Sequence, residues 1–185
     1  MKLSYLITAS FFLFVFCAGT ASCQNKNELK IVFLRHGEKP ANGDNLNCQG
    51  LNRSLQLPAM FTKKFGVPNY VFVPAMDIGE TTKHSRMFQT VTPLAAKYNL
   101  KVNSTNGEKD YKAIAADLAN SRGLVLVVWE HEAIPKIVHA LGIKASGLNW
   151  PDDDYDSIWI VTFKKGGAEF TRDKEGLKPP AGCPF

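Results

Sequence analysis

The chain predicts an α/β fold, a mainly parallel sheet flanked by helices in a three-layer sandwich. Three observations carry this reading. Two continuous apolar runs, Ile31–Leu34 and Leu124–Trp129, suit strands buried on both faces. Around them, stretches with apolar residues at helical spacing alternate with further strand-like runs. The length, 185 residues, fits one domain, and neither an internal repeat nor a low-complexity block is present.

Residues 1–22 read as a secretory leader, not as part of that fold. Lys2 precedes an apolar stretch from Tyr5 to Phe16, apolar all round from Phe11 onward and too short for a stable membrane span. Small residues follow, Ala18-Gly19-Thr20-Ala21-Ser22. Thr20-Ala21-Ser22-Cys23 resembles a bacterial lipoprotein box, with Thr20 where Leu is usual. Two outcomes stay open: ordinary cleavage, or lipid on Cys23 and attachment to a membrane. Either places the mature chain, a single domain over residues 23–185, outside the cytoplasm, whether periplasmic, lipid-anchored or extracellular.

The first strand run stops at Arg35-His36-Gly37-Glu38-Lys39. Open α/β sheets bind ligands at the carboxyl ends of their strands. A guanidinium, an imidazole and a glycine there make a candidate anion site with a nucleophile in it. Pro40–Asn47 reads as a loop. From Gln49 a helix is expected, with Leu51, Leu55, Phe61 and Phe65 on one side; Pro58 should kink it or begin a second helix. Arg53 on this helix faces either solvent or the site, where its role would be support. Tyr70–Val73 is a strand ended by Pro74, and Asp77–Lys83 a polar loop. The next helix carries Met87, Val91, Leu94, Ala95 and Tyr98, a polar opening from His84 to Thr90, and a second kink candidate in Pro93. Leu100–Val102 forms a short strand, Asn103–Asp110 a loop, and Tyr111, Ile114, Ala115 and Leu118 mark a third helix.

The run Leu124–Trp129 ends, like the first, in chemistry: Glu130-His131-Glu132. Pro135 sits in the first turn of a helix with Ile134, Ile137, Val138 and Leu141 inward, closed by Gly142. Beyond an acidic loop, Asp152–Asp154, the residues Ser157–Phe163 alternate as a strand. Lys165-Gly166-Gly167 turns into a short edge strand, Ala168–Thr171, and a Pro/Gly-rich tail.

The chain has 22 Lys and Arg against 17 Asp and Glu, a net charge of +5; loss of the leader removes Lys2 alone, leaving 21 against 17, or +4. This mild excess favours an anionic partner. A basic stripe with interleaved aromatics, which nucleic acid would need, is absent. Cys48 and Cys183 remain once Cys17 leaves and Cys23 is set aside. In an exported compartment they can pair, tying the tail to the first helix, or remain independent thiols. No CxxC metal spacing occurs.

Arg35-His36-Gly37 after a buried strand, Ser85-Arg86 with Gln89-Thr90 opening a helix, and His131 after a late strand together resemble the histidine phosphatase superfamily, also called phosphoglycerate mutase-like. The resemblance spans Lys30 to Phe163. It implies that fold, no cofactor or metal, and a small phosphorylated substrate. It also implies that His36 is the nucleophile and that Arg35, Arg86 and His131 hold the phosphate oxygens. Residue chemistry agrees. Phosphoryl transfer needs an in-line nucleophile and charge stabilisation, guanidinium forks match phosphate oxygens in pairs, and crowded cations keep an imidazole neutral. Lys39 would add an ammonium to the phosphate, or else be a solvated loop lysine.

For the proton donor, Glu132 is the first choice, because the acid-phosphatase branch carries an Asp directly after its second histidine. Glu108 is the second, near the place where mutase-like relatives have a glutamate, although its Asn-Gly-Glu-Lys surroundings depart from their motif. Glu130 and Glu38 come after these. The expected function is an exported, metal-independent phosphatase acting on a phosphomonoester through a phosphohistidine. Two readings stay beside it: a phosphoglycerate mutase-like phosphotransferase, and a non-catalytic anion-binding or surface interaction protein on the same fold. Short insertions leave little material for a mutase lid, and the set Arg35, His36, Arg86 and His131 weighs against the binder.

Simple readings suffice elsewhere. His84 and His139 belong at the surface, and Trp129 and Trp159 in the core. Trp150-Pro151 with the triple Asp is a solvated turn rather than a cap on the pocket. Asn52-Arg53-Ser54 and Asn103-Ser104-Thr105 match the glycosylation pattern, which is common by chance.

Overall fold

The computed structural model describes residues 28–77, 79 and 81–183. The expected leader and Cys23 lie outside the described residues. Ten elements occur in order: β1 Leu29–Arg35, α1 Cys48–Phe65, β2 Tyr70–Phe72, α2 Ser85–Tyr98, β3 Val102–Asn103, α3 Tyr111–Asn120, β4 Gly123–Trp129, α4 Ile134–Ala140, β5 Ser157–Lys164 and β6 Gly167–Lys174. They build one six-stranded sheet of order β3-β2-β4-β1-β5-β6. The first four strands in that order are parallel; β5 runs antiparallel to β1, and β6 to β5.

Alternation along the central strands feeds two cores. Ile31 and Phe33 share one face with Val125, Val127, Trp129 and the inner sides of α3 and α4. Val32 and Leu34 share the other with Leu126, Val128 and the inner sides of α1 and α2. Both faces are covered, which is why these strands read as unbroken apolar runs. The β1–β4 register decides where the two histidine segments emerge. Ile31 pairs with Val125 and Arg35 with Trp129, so the two strands end level. His36 and Glu130 therefore leave the sheet side by side at one edge.

Several expectations need correction. Leu55 is not on the buried side of α1; it is 52% exposed. Counting back from Phe61 in helical steps gives Leu57, Ser54, Arg53 and Gly50, and these are buried. The inner line of α1 is therefore apolar only in its C-terminal half. Its first half is polar because it packs against the chain just beyond β1. No second helix starts at Pro58, since α1 runs through it as α2 runs through Pro93. A proline removes one donor, and tertiary packing of the surrounding turns outweighs that loss. The last strand is longer than expected, pairing with β5 from Gly167 to Lys174.

The turn after α4 is also not simply solvated. Trp150 is buried and stacks on Trp159 at 5.0 Å between ring centroids. Cys48 and Cys183 form a disulfide with their Cα atoms 4.6 Å apart. Asn52 Nδ2 donates to the carbonyls of Pro180 and Gly182 at 2.8 and 2.6 Å, so this buried asparagine fastens the tail and is closed to glycosylation. Asn103 Nδ2 donates to the Val71 carbonyl. Among the described residues no helix is long and apolar enough to cross a membrane.

Candidate active site

Arg35 closes β1, and His36 continues it by one more ladder bond, donating its N–H to the Trp129 carbonyl at 3.2 Å. Glu130 and His131 come directly after Trp129, so the register brings the second histidine to the first. Gly37 then lets two backbones touch. A Cβ at this position would lie 2.9 Å from the Gly50 carbonyl oxygen and 3.0 Å from its Cα. Gly50, the mirror partner, would put a Cβ 2.2 Å from the Glu38 carbonyl oxygen. Only a pair of glycines permits this crossing of α1 over the loop. Asn47 caps α1, accepting from the Gly50 N–H at 2.8 Å.

His36 is buried, and its Nδ1–H donates to the Gly37 carbonyl at 2.7 Å. A carbonyl can only accept, so the neutral ring keeps its free lone pair on Nε2. Burial is the main force holding the imidazole neutral, followed among the lowering influences by Arg86, Arg35 and His131; the Gly37 bond opposes them, and the pKa falls to about 3. Those same three side chains are the ones the sequence singled out. The structure brings Arg35, Arg86 and His131 within electrostatic reach of His36.

The two arginines are held by neighbours that leave donors over. Arg35 Nη1 donates to the Asp152 carbonyl at 2.5 Å, with those of Pro151 and Asp154 at 3.4 Å, and its guanidinium lies 3.9 Å from the centroid of the Tyr155 ring. Burial lowers its pKa, opposed by Tyr155, Glu130, Asp152 and Asp154. Arg86 Nη1 donates to the Gly43 carbonyl at 3.0 Å. Among the described residues, the buried Nε atoms of Arg35 and Arg86 have no hydrogen-bond partner. His131 lies between two carboxylates. Its Nε2 is 2.9 Å from Asp152 Oδ1, and its Nδ1 lies against Glu130 Oε1, out of line for a hydrogen bond.

The opening of α2 anchors the loops around this cluster. The Thr90 hydroxyl accepts the Gly37 N–H at 3.0 Å, Ser85 Oγ donates to the Asp44 carbonyl, and Gln89 binds the Leu46 N–H and the Asn45 side chain. Behind the site, Arg53 is buried and bidentate to Glu38, with bonds of 2.9 and 2.8 Å, and its Nη1 also reaches Glu175. Of the two orientations expected for Arg53, the inward one holds. Burial pushes the Glu175 carboxyl up to about 7, against the opposing pull of Arg53. One guanidinium cannot neutralise two buried carboxylates.

The remaining candidates fall in different places. Lys39 is exposed, and its carbonyl accepts from Asn47 Nδ2. Glu132 is exposed, with its backbone N–H bonded to Glu130. Glu130 is half-buried beside His131, and Glu38 is committed to Arg53. Glu108 is half-buried at the same sheet edge; its carbonyl accepts the Trp129 indole N–H at 2.9 Å, and its Oε2 lies 2.5 Å from His84 Nδ1. His84 is thus engaged, while His139 is exposed. Among the described residues no three His, Cys, Asp or Glu side chains cluster as a metal site. Tyr155 and Glu175 escaped the sequence reading, since no motif links them to the Arg35–Gly37 stretch, and Asp152, expected in a solvated turn, instead meets Arg35 and His131.

No family model matches the chain, and no curated protein does. Solved structures do resemble it. A phosphoglycerate mutase from Plasmodium falciparum aligns at a TM-score of 0.56 and 12% identity, over 83% of this chain and 95% of its own. A mycobacterial glucosyl-3-phosphoglycerate phosphatase with inorganic phosphate aligns at 0.54 and 14%, over 78% and 95%. The protein histidine phosphatase SixA complexed with tungstate aligns at 0.51 and 19%, over 79% and 97%. Identities this low establish architecture and nothing finer: the chain has the phosphoglycerate mutase-like α/β fold that these structures share.

Proposed function

We propose that the chain is a phosphatase that hydrolyses a phosphomonoester through a phosphohistidine on His36. The observation that carries this is a buried, neutral imidazole with its Nε2 lone pair free, ringed by two guanidiniums that keep unpaired buried donors. Such donors need an anion with several acceptor oxygens, and a phosphoryl group supplies three. Nε2 attacks phosphorus, and the bond from phosphorus to the ester oxygen breaks. Arg35, Arg86 and His131 take up the equatorial charge. The leaving oxygen receives a proton from a carboxyl group. Water then attacks the phosphohistidine, the phosphorus–nitrogen bond breaks, and the water's proton resets the carboxyl.

For that carboxyl Glu108 is favoured over Glu132. A donor must be held, and Glu108 is fixed by its backbone at Trp129 and by its side chain at His84, whereas Glu132 stands in solvent. Behind a secretory leader, the enzyme would act on small phosphorylated compounds outside the cytoplasm.

The test is release of phosphate from p-nitrophenyl phosphate, with His36→Ala as control and acid-labile phosphate trapped on the wild-type protein by rapid quench. The expected result is EDTA-insensitive turnover, lost with His36. No turnover anywhere from pH 4 to 8, or turnover that survives His36→Ala, overturns the proposal.

A further inference from the structure

His84 is the cap residue just before α2, and it holds a left-handed backbone conformation, φ 58° and ψ 17°. A side chain with a Cβ adopts this at a cost, so surrounding contacts must hold it there. The contacts are on its ring. Nδ1 lies 2.5 Å from Glu108 Oε2, and Nε2 lies 3.5 Å from Asp77 Oδ2. Exposure rises along the row, from 18% for the Glu108 side chain to 28% for His84 and 64% for Asp77. Among the described residues, the charged groups facing the ring are these two carboxylates, one from the loop before α2 and one from the loop before α3.

The ring thus bridges two loops, with its closer contact on the carboxylate of Glu108. We propose that His84 is a positioning residue for the proton donor: it holds Glu108 by Oε2. As the ester bond breaks, Glu108 gives its proton to the leaving oxygen. Attack of water on the phosphohistidine returns one proton, so the cycle balances. The inference rests on Glu108 being the donor in the reaction proposed above.

The experiment compares an alkyl substrate, glycerol 2-phosphate, with p-nitrophenyl phosphate, whose leaving group needs little protonation. His84→Asn and His84→Gly both suit a left-handed backbone and so separate the ring's chemistry from folding. The expected result is an alkyl-to-aryl kcat ratio lowered at least tenfold in both variants. A ratio that stays at the wild-type value overturns the role of His84. Glu108→Gln, run in parallel, tells the failures apart. If it lowers the ratio while the His84 variants do not, only this inference falls. If it leaves the ratio intact, the donor assignment falls and takes this inference with it.

Discussion

Replacing Glu175 by Gln isolates one side of a balance between two buried groups that titrate in opposite senses. Burial raises the Glu175 carboxyl from 4.5 to about 7. Between those values the folded protein keeps a proton that the unfolded chain has released. Its contribution to stability is therefore full below pH 4.5 and is lost as pH rises toward 7. His36 does the reverse. Its pKa falls from 6.5 to about 3, so the unfolded chain takes up a proton that the folded protein refuses. That contribution is full above pH 6.5 and is lost as pH falls. From pH 4.5 to 6.5 the two slopes oppose, each on the order of 1.4 kcal/mol per unit. Glu175→Gln should lose about 3 kcal/mol relative to the parent as pH drops across those two units. His36→Gln should gain about as much, and the double variant should track the parent. Asp154, Glu169 and Asp173, all lowered from their ordinary values, act below this window and are common to the four proteins. Urea unfolding in half-unit pH steps, followed by fluorescence of the buried Trp129, Trp150 and Trp159, provides the measurement. Parallel stability curves for all four proteins would refute the reasoning.

Arg53→Met strands two buried carboxylates and should cost about 3–5 kcal/mol in urea unfolding; the loss should shrink when Glu175→Gln is added, because one charge is then gone. Gly37→Ala drives a methyl into the Gly50 backbone, where nothing flexible can yield. It should destabilise by about 1–3 kcal/mol and lower phosphatase turnover at least tenfold, since the nucleophile shifts with its loop. Replacing Cys48 and Cys183 by Ser opens a loop with a sequence separation of 135 residues. Chain entropy sets the loss at about 5 kcal/mol, read as a lower urea midpoint than that of the oxidised parent.

How much of this was legible depends on what carried each contact. The strands Leu29–Arg35 and Gly123–Trp129 were readable because both faces of a central parallel strand are buried, which leaves an unbroken apolar run. Their endings placed His36 and His131 on one edge, and the level register made them neighbours. The inner side of α1 was misread because its first half packs on backbone at Gly37 and on two glutamates, not on apolar side chains. A hydrophobic pattern reports burial against oil; it has no symbol for burial against a salt bridge.

The turn at Pro151–Tyr155 marks the deeper limit. Arg35 spends its Nη1 on the main-chain carbonyls of this turn, and any sequence would present the same carbonyls there. The residue-specific part is what brings the turn to Arg35. Trp150 buries itself on Trp159, and Asp154 binds the backbone of Asp156 and Ser157 and the Ser157 hydroxyl. A tryptophan that looked like the start of a solvated loop is therefore the anchor that aims an arginine 115 positions earlier in the chain. Trp150→Ala should accordingly act at the site as well as in the core. Beyond a stability loss of about 3–5 kcal/mol, KM for p-nitrophenyl phosphate should rise under conditions where the variant is fully folded, because Arg35 loses the turn that holds it. An unchanged KM would refute this, because the turn, with Tyr155 against the guanidinium, would then hold Arg35 without the tryptophan.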